Sequence, residues 1–567
     1  MRYTRPCMRS AWKLWAAAVL SAGLLELPFP LAGPMPPWRS LLAFIALVPL
    51  LWAIVAPAPE IDRHPLRRVF LVAYLCGVLW YLGNCYWIYS TMLIYGGLPP
   101  ALAFLVLLLF SLVLGLYFGL FGLGIALARR ATGSIRLALA FAPFLWVALE
   151  LAGARVTSVP WDQLGYSQVD NGLLTRIAPW EGVYGISFVL VVVNALFAGA
   201  LRLPAKSSPA STSPGASKSS FAGRWAWAAC GAFLFVVGAG GLLIEAPENP
   251  AHATAVLVQP NLDVGDANTW PGAEWNNHIA EFIRLGSQSC GPYLNGIPQT
   301  GAPGTDPACT APLPHPDLVV WPEAPAPFFE PDMRFQHAMA DVARAEQAPL
   351  IINGVGTDPP QADGEWHDHV SAMVFNADGS EAGRYDKIHL VPWGEYIPFP
   401  KLFFFAHKIT GKVSSFTPGT ARSVFLLRTQ NGQSHRYGIF ICYESVFADE
   451  IRQFALRGAE VFVNASDDGW YGDTSAPWQH LNMARMRAIE NRRWILRDTN
   501  TGVTSVIDPE GRVQQSIPRH QIGALAARFG FRYANTFYTV HGDLFAWLCA
   551  ALAFGVLVWA AGRRLRK

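Results

Sequence analysis

Charge is scarce in this chain: 15% of its 567 residues are Asp, Glu, Lys or Arg, and the net charge is +3. So small a surplus, with no basic stripe interleaved by aromatics, argues against a nucleic-acid partner. Cysteine is sparse too. The eight (Cys7, Cys76, Cys85, Cys230, Cys290, Cys309, Cys442, Cys549) form no CxxC pair and no cluster with histidine at zinc spacing. A metal site is therefore unsupported. What abounds is apolar. A hydrophobic fraction of 52% and 21 tryptophans point to a membrane protein, and the length to more than one domain.

Apolar segments fall at about 12–28, 40–56, 69–90, 101–128, 137–153, 180–201 and 224–244, with another at 544–562. Crossing a hydrocarbon core of ~30 Å takes about 20 residues; the second and fifth are short. No clean small-residue cleavage site follows the first, so it reads as a retained span. Basic residues set the orientation. Arg2, Arg5, Arg9 and Lys13 precede span one; Arg63, Arg67 and Arg68 follow span two; Arg129, Arg130 and Arg136 follow span four. Arg202, Lys206, Lys218 and Arg224 lie between spans six and seven, and Arg563, Arg564, Arg566 and Lys567 end the sequence. With seven spans before the polar region and one after it, all five clusters share one side, which the positive-inside rule makes cytoplasmic. The chain thus divides into a membrane domain (1–244), an outer domain (245–543) and a last span with a basic cytoplasmic tail (544–567). Residues 207–220, rich in Ser, Pro, Ala and Lys, read as a cytoplasmic linker. Glu150, Arg155 and Asp162, near the outer end of span five, read equally as structural pairs or as functional ions.

In the polar region the period changes. Short apolar runs at 253–259, 317–321, 350–355, 372–375, 437–442, 460–464 and 494–497 alternate with helical patterns at 333–348, 446–457 and 478–491. Strands at 504–508 and 513–516 pair across Pro509-Glu510-Gly511. That is an α/β domain with a largely buried sheet. Residues 286–316, rich in Gly, Pro and Thr, break the pattern as a surface insertion.

Three residues stand at or after the strands. Glu323 follows an apolar run, with Pro322 stiffening the approach; Lys387 follows Tyr385-Asp386; Cys442 ends the run begun at Gly438. Singly, Glu323 reads as a surface acid, Lys387 as a solvated hairpin charge and Cys442 as a buried thiol. Together they make a nucleophilic site: Glu323 accepts the thiol proton, and Lys387 stabilises thiolate and oxyanion. The sign of the Lys387 charge is right for lowering the Cys442 pKa.

In that order, Glu323, Lys387 and Cys442 resemble the Glu-Lys-Cys triad of the nitrilase superfamily, an αββα sandwich. The motifs Trp321-Pro-Glu323, Tyr385-Asp-Lys-Ile-His-Leu-Val-Pro-Trp-Gly-Glu-Tyr-Ile-Pro398, Ile441-Cys-Tyr-Glu444, Asn464-Ala-Ser-Asp-Asp-Gly-Trp-Tyr-Gly-Asp473 and Gln479-His-Leu-Asn-Met-Ala-Arg-Met-Arg-Ala488 resemble the apolipoprotein N-acyltransferases. The resemblance covers nearly the whole chain. It implies a polytopic α-helical bundle of about eight spans in a bacterial inner membrane, carrying a nitrilase-like domain on its outer side. It also implies a phospholipid acyl donor, a diacylglyceryl apolipoprotein acceptor, a Cys442 thioester and a ping-pong course. By resemblance Glu395 supports the triad, and Tyr443, Glu444, Trp270 and Trp470 fall at pocket positions; for the two tryptophans ordinary packing is equally open. No cofactor and no metal are implied, and the chain is read as a monomer.

Two departures stand out, one of them the length of the 286–316 insertion, which exceeds what the resemblance implies. In the other, His369-Val370-Ser371 occupies the place where many members carry Tyr-Asn-Ser, so Asn353 or His369 is expected to meet that asparagine's partner. Cys290 and Cys309, in the 286–316 insertion, are expected to form a disulfide in the oxidising outer compartment, contributing about 3 kcal/mol. The Phe-rich run 399–405 reads as core or as a lipid-facing lid over Cys442. Rival readings are a membrane-tethered amidase, which shares the triad, and a transporter or sensor whose outer domain only binds.

Overall fold

The computed structural model describes residues 5–56, 64–202, 218–262, 315–323, 328–360, 366–397 and 415–565, with positions 264, 279, 285 and 364. Trp270, Cys290, Cys309, residues 286–314 of the insertion and the 399–405 run lie outside the described residues. The chain separates into two compact units: Met1–Tyr89 with Pro100–Glu245 and His541–Lys567, and Ser90–Pro99 with Ala246–Val540.

The first unit is helical. Its helices are α1 (Arg5–Glu26), α2 (Val48–Ile54), α3 (Pro65–Asn84), α4 (Trp87–Ile94, shared with the second unit), α5 (Pro100–Thr132), α6 (Ile135–Val156), α7 (Ala178–Arg202) and α8 (Lys218–Gly240), together with the C-terminal helix Leu544–Leu565. Among the described residues seven helical segments are long and apolar enough to cross a membrane, six before the polar region and one after it. The predicted first span, 12–28, falls on α1, which is not among those seven. Span five is longer than its apolar stretch suggests: α6 has 22 residues, about 33 Å at 1.5 Å each. Where α3 meets α5 the helices touch through glycine. A Cβ at Gly77, Gly115, Gly119 or Gly122 would lie 2.6–2.7 Å from Phe118, Val78, Phe70 or Ala73, so only the smallest residue permits this approach.

Span two is broken. A 3-10 stretch, Pro37–Phe44, and a turn precede α2; Pro49 has no amide to bond Ile45 O in a continuous helix and its ring would clash with that carbonyl. The freed backbone groups find side chains from other helices. Asn194 of α7 accepts from Leu47 N at 2.8 Å and donates to the Ala43 carbonyl at 2.9 Å. Ser21 of α1 donates to the Ala46 carbonyl at 2.5 Å and accepts from Leu50 N at 3.1 Å. Both side chains are fully buried, so without them these peptide groups would stand unsatisfied in an apolar medium.

The second unit is built on two six-stranded sheets. One has the order β12-β1-β2-β3-β4-β5 and the other β11-β10-β9-β8-β7-β6. The strands are β1 (Ala253–Gln259), β2 (Leu318–Val320), β3 (Leu350–Asp358), β4 (His367–Phe375), β5 (Glu381–Asp386), β6 (Val424–Arg428), β7 (Ser434–Ile441), β8 (Val461–Ser466), β9 (Trp494–Thr499), β10 (Thr504–Ile507), β11 (Val513–Ile517) and β12 (Gly523–Phe529). In each sheet the central three strands, β1-β2-β3 and β7-β8-β9, run parallel and the outer pairings are antiparallel.

Alternation shows how the layers form. Ala255 and Leu257 of β1, Leu318 and Val320 of β2, and Ile351 of β3 join one core with Tyr437, Ile439 and Ile441 of the other sheet. Their neighbours Val256, Val258, Val319, Leu350 and Ile352 join a second core with Phe335, Met339 and Val342, which lie on α9 (Met333–Glu346). Strands buried on both faces read as continuous apolar runs. The second sheet packs on α10 (Ala448–Leu456) and α11 (Ala476–Asn491) through Ile451, Phe454, Leu481, Ala484 and Ala488. The chain closes with α12 (Phe537–His541) and α13 (Leu544–Leu565).

Candidate active site

The site lies within the second unit, where strand ends of the two sheets meet. Glu323 stands three residues beyond β2, Lys387 one residue beyond β5, and Cys442 directly after β7. Lys387 is fully buried, Glu323 and Cys442 nearly so. The Lys387 ammonium donates to Glu323 Oε1 at 2.8 Å and to Glu395 Oε1 at 2.6 Å. The second oxygens are occupied: Glu323 Oε2 accepts from Asp467 N at 3.0 Å and Glu395 Oε2 from Val391 N at 2.7 Å.

Burial alone would discharge Lys387, but Glu323 and Glu395 outweigh it and hold the ammonium well above its usual range. Burial raises the Glu395 carboxyl, with Lys387 opposing. Cys442 departs from the sequence expectation. Burial, seconded by Glu323 and Asp468, pushes its thiol well above the ordinary range, and Lys387 offsets this only in part. Cys442 rests as a thiol, because one ammonium shared between two carboxylates does not repay the desolvation of a thiolate. Cys442 in the folded protein is thus expected to alkylate with iodoacetamide at pH 7.5 about tenfold or more slowly than free cysteine, accelerating only well into the alkaline range. Peptide mass spectrometry measures this, and alkylation faster than free cysteine would contradict it.

Glu444 is fully buried and holds the two sheets in register. Its Oε1 accepts from Tyr385 OH at 2.8 Å, Ile388 N at 2.7 Å and His389 N at 3.2 Å; its Oε2 accepts from Ile441 N at 2.7 Å. The residue after Lys387 and the residue before Cys442 are therefore tied to one carboxylate. Tyr443 is half-buried and meets Phe447 edge-on, at 5.2 Å between centroids. Trp470 is 45% exposed; Tyr95 packs edge-on against it at 5.5 Å, and Thr91 Oγ1 donates to its carbonyl at 3.0 Å.

Of the two candidates for the missing asparagine's work, His369 is engaged elsewhere: Nδ1 donates to the Thr417 carbonyl at 2.8 Å and Nε2 lies 3.3 Å from Asp358. Asn353 is fully buried, and neither atom of its amide has a hydrogen-bond partner among the described residues. Beside Glu323, burial pushes Asp467 up to about 7, against the pull of Gly469 N–H and the Asn500 amide. Among the described residues no cluster of His, Cys, Asp and Glu could hold a metal ion. The arrangement can deliver a thiol to an electrophilic carbonyl, with a carboxylate to take the proton and an ammonium to meet the oxyanion.

Two family models match the sequence: the apolipoprotein N-acyltransferase N-terminal domain over residues 21–196 and carbon-nitrogen hydrolase over residues 277–529. An apolipoprotein N-acyltransferase of Geobacter metallireducens is 33% identical over 550 residues, covering 96% of this chain and 95% of its own length. One from Vibrio cholerae is 27% identical over 528 residues, covering 90% and 94%. Among solved structures, Saccharomyces cerevisiae Nit3, a member of branch 10 of the nitrilase superfamily, aligns with 50% of this chain and 93% of its own, at 17% identity and a TM-score of 0.33.

Proposed function

Because the chain belongs to the apolipoprotein N-acyltransferase family, we propose that it acylates the α-amine of a diacylglyceryl-cysteine apolipoprotein through a thioester on Cys442, with Glu323 as base and Lys387 as oxyanion partner. The observation that carries this reading is the Lys387 ammonium clasped by Glu323 in the immediate field of the Cys442 thiol.

In the first half-reaction Cys442 Sγ attacks the ester carbonyl carbon of a phospholipid while its proton passes to Glu323. The raised thiol pKa favours this coupled transfer over attack by a preformed thiolate. The oxyanion forms beside Lys387, whose charge is already in place and costs no reorganisation. Collapse breaks the C–O bond, and the lysophospholipid oxygen leaves with the proton from Glu323. In the second half the acceptor amine attacks the thioester carbon, Glu323 takes the amine proton, and the C–S bond breaks. The thiolate recovers that proton, which restores the starting state. Glu395 keeps Lys387 charged. The membrane spans bring two lipid-anchored substrates to the same boundary, and with α1 counted as an eighth span the five basic clusters support an α/β domain outside and both termini in the cytoplasm.

Cys442→Ala in the full chain tests the reading. Triacylated lipoprotein is expected to fall below detection in cells lacking another such enzyme, and no acyl thioester is trapped. Continued triacylation by the alanine variant would overturn the assignment. Release of free fatty acid or ammonia by the wild type, without acyl transfer, would favour the amidase.

A further inference from the structure

Cys442 has φ +46°, a left-handed backbone that a side chain adopts only at a cost in free energy. It opens a short 3-10 turn, Cys442–Val446, and something must hold that turn. His480 of α11 does so. Its Nε2 lies 3.0 Å from the Cys442 carbonyl oxygen and 2.6 Å from Ser445 Oγ, three residues further along the same turn. Its Nδ1 lies 2.8 Å from Asp468 Oδ1 and 3.1 Å from Arg497 Nη2.

Each tautomer grips the turn at a different point, and the ionised Asp468 oxygen 2.8 Å from Nδ1 favours the one that carries its proton there. With the proton on Nδ1, the ring donates to Asp468 and accepts from the Ser445 hydroxyl. With the proton on Nε2, it donates to the Cys442 carbonyl and accepts from Arg497. The rest of the network fixes the ring. Arg497 Nη2 donates to both Asp468 oxygens at 2.9 and 2.7 Å, and its Nη1 donates to Asn464 Oδ1. Asn464 in turn donates to the Phe440 carbonyl at 3.2 Å, two residues before Cys442. Asn464, Asp468, His480, Arg497 and Ser445 are all fully buried, so none of the five competes with water for these bonds. Burial raises the Asp468 carboxyl, but Arg497 and His480 outweigh it and keep the carboxylate ionised.

We propose that His480, anchored by Asp468 and Arg497, is a positioning residue that holds the Cys442 turn in its reactive conformation through the Ser445 hydroxyl and the Cys442 carbonyl, without touching substrate. The inference rests on Cys442 being the nucleophile, and loss of transfer in Cys442→Ala tests that premise separately. Alkylation of Cys442 reads the turn itself, with no turnover needed.

In the full chain in detergent micelles, His480→Ala is expected to lower kcat about 100-fold with KM for both substrates within about twofold. His480→Gln keeps an amide that reaches the Cys442 carbonyl and is expected to recover about tenfold of that loss. The iodoacetamide rate at Cys442 shifts severalfold in the alanine variant and returns toward wild type in the glutamine variant. Wild-type kcat and alkylation in both variants overturn the proposal. So does a raised KM at unchanged kcat, which would place the histidine on substrate. If His480→Ala fails to accumulate folded, His480→Gln carries the test. A kcat down about tenfold at an unfolding midpoint within a few degrees of wild type supports positioning, and loss of activity only in step with loss of folded protein overturns it.

Discussion

Lys387→Met is expected to abolish acyl transfer and to cost the α/β unit about 3–5 kcal/mol. Methionine fills a similar volume, so the loss is one of charge. The ammonium is fully buried between Glu323 at 2.8 Å and Glu395 at 2.6 Å. Taking it away leaves two carboxylates facing each other out of water, and they respond by binding protons. Folded-state carboxyl pKa values raised above their unfolded values give stability that is present at low pH and lost as pH rises through the raised values. The deficit of the variant is therefore smallest in acid and grows toward pH 8. Urea unfolding in detergent micelles across that range measures it; equal stability of variant and wild type at pH 8 would contradict the buried pairing.

The second large effect belongs to Glu444. Glu444→Gln is expected to destabilise by about 3 kcal/mol and to lower kcat about 100-fold in protein that remains folded. Both carboxylate oxygens accept from N–H or O–H groups. Whichever end of the glutamine becomes the amide nitrogen, a donor then faces a donor in a fully buried place. The rate falls for a geometric reason: Ile388 follows Lys387 and Ile441 precedes Cys442, so loosening this carboxylate separates the ammonium from the thiol. Acyl transfer and circular dichroism melts on the same preparation distinguish the two effects. A variant with wild-type kcat would remove Glu444 from the positioning of the site.

How much of this was readable from the residues depends on burial. The strand β1 is bounded as its apolar run is, because a strand covered on both faces announces itself by composition alone. The edge strands β5 and β6 went unread: β5 carries exposed Glu381 and half-buried Arg384, and β6 ends on exposed Arg428. So did β12, Gly-Ala-Leu-Ala-Ala-Arg-Phe, which lacks β-branched residues and gains its strand from pairing with β1 across the whole register. Glu323, Lys387 and Cys442 were visible because each stands beside a strand and within a motif. The charge balance was not. A lysine near a cysteine suggests an activated thiolate, but the outcome depended on how deeply both are buried and on Glu395 sharing the lysine. Asp468 and His480 stand in two separate motifs and Arg497 at the end of the 494–497 apolar run, and 12 to 38 residues separate the partners in their bonds to the Cys442 turn and to each other. No local period reports such a pairing.

The broken second span carries a consequence in time. Leu47 N–H depends on an acceptor 147 residues further along the chain. At 5–20 residues per second, a nascent chain makes Asn194 on the order of 10 s after Leu47. For that interval the peptide groups around the break can be satisfied only by water, by lipid headgroups or by the insertion machinery. The second segment therefore cannot settle in final form when it is made. It stays provisional until α7 arrives and locks it, so the order in which the helices are completed differs from the order in which they are synthesised.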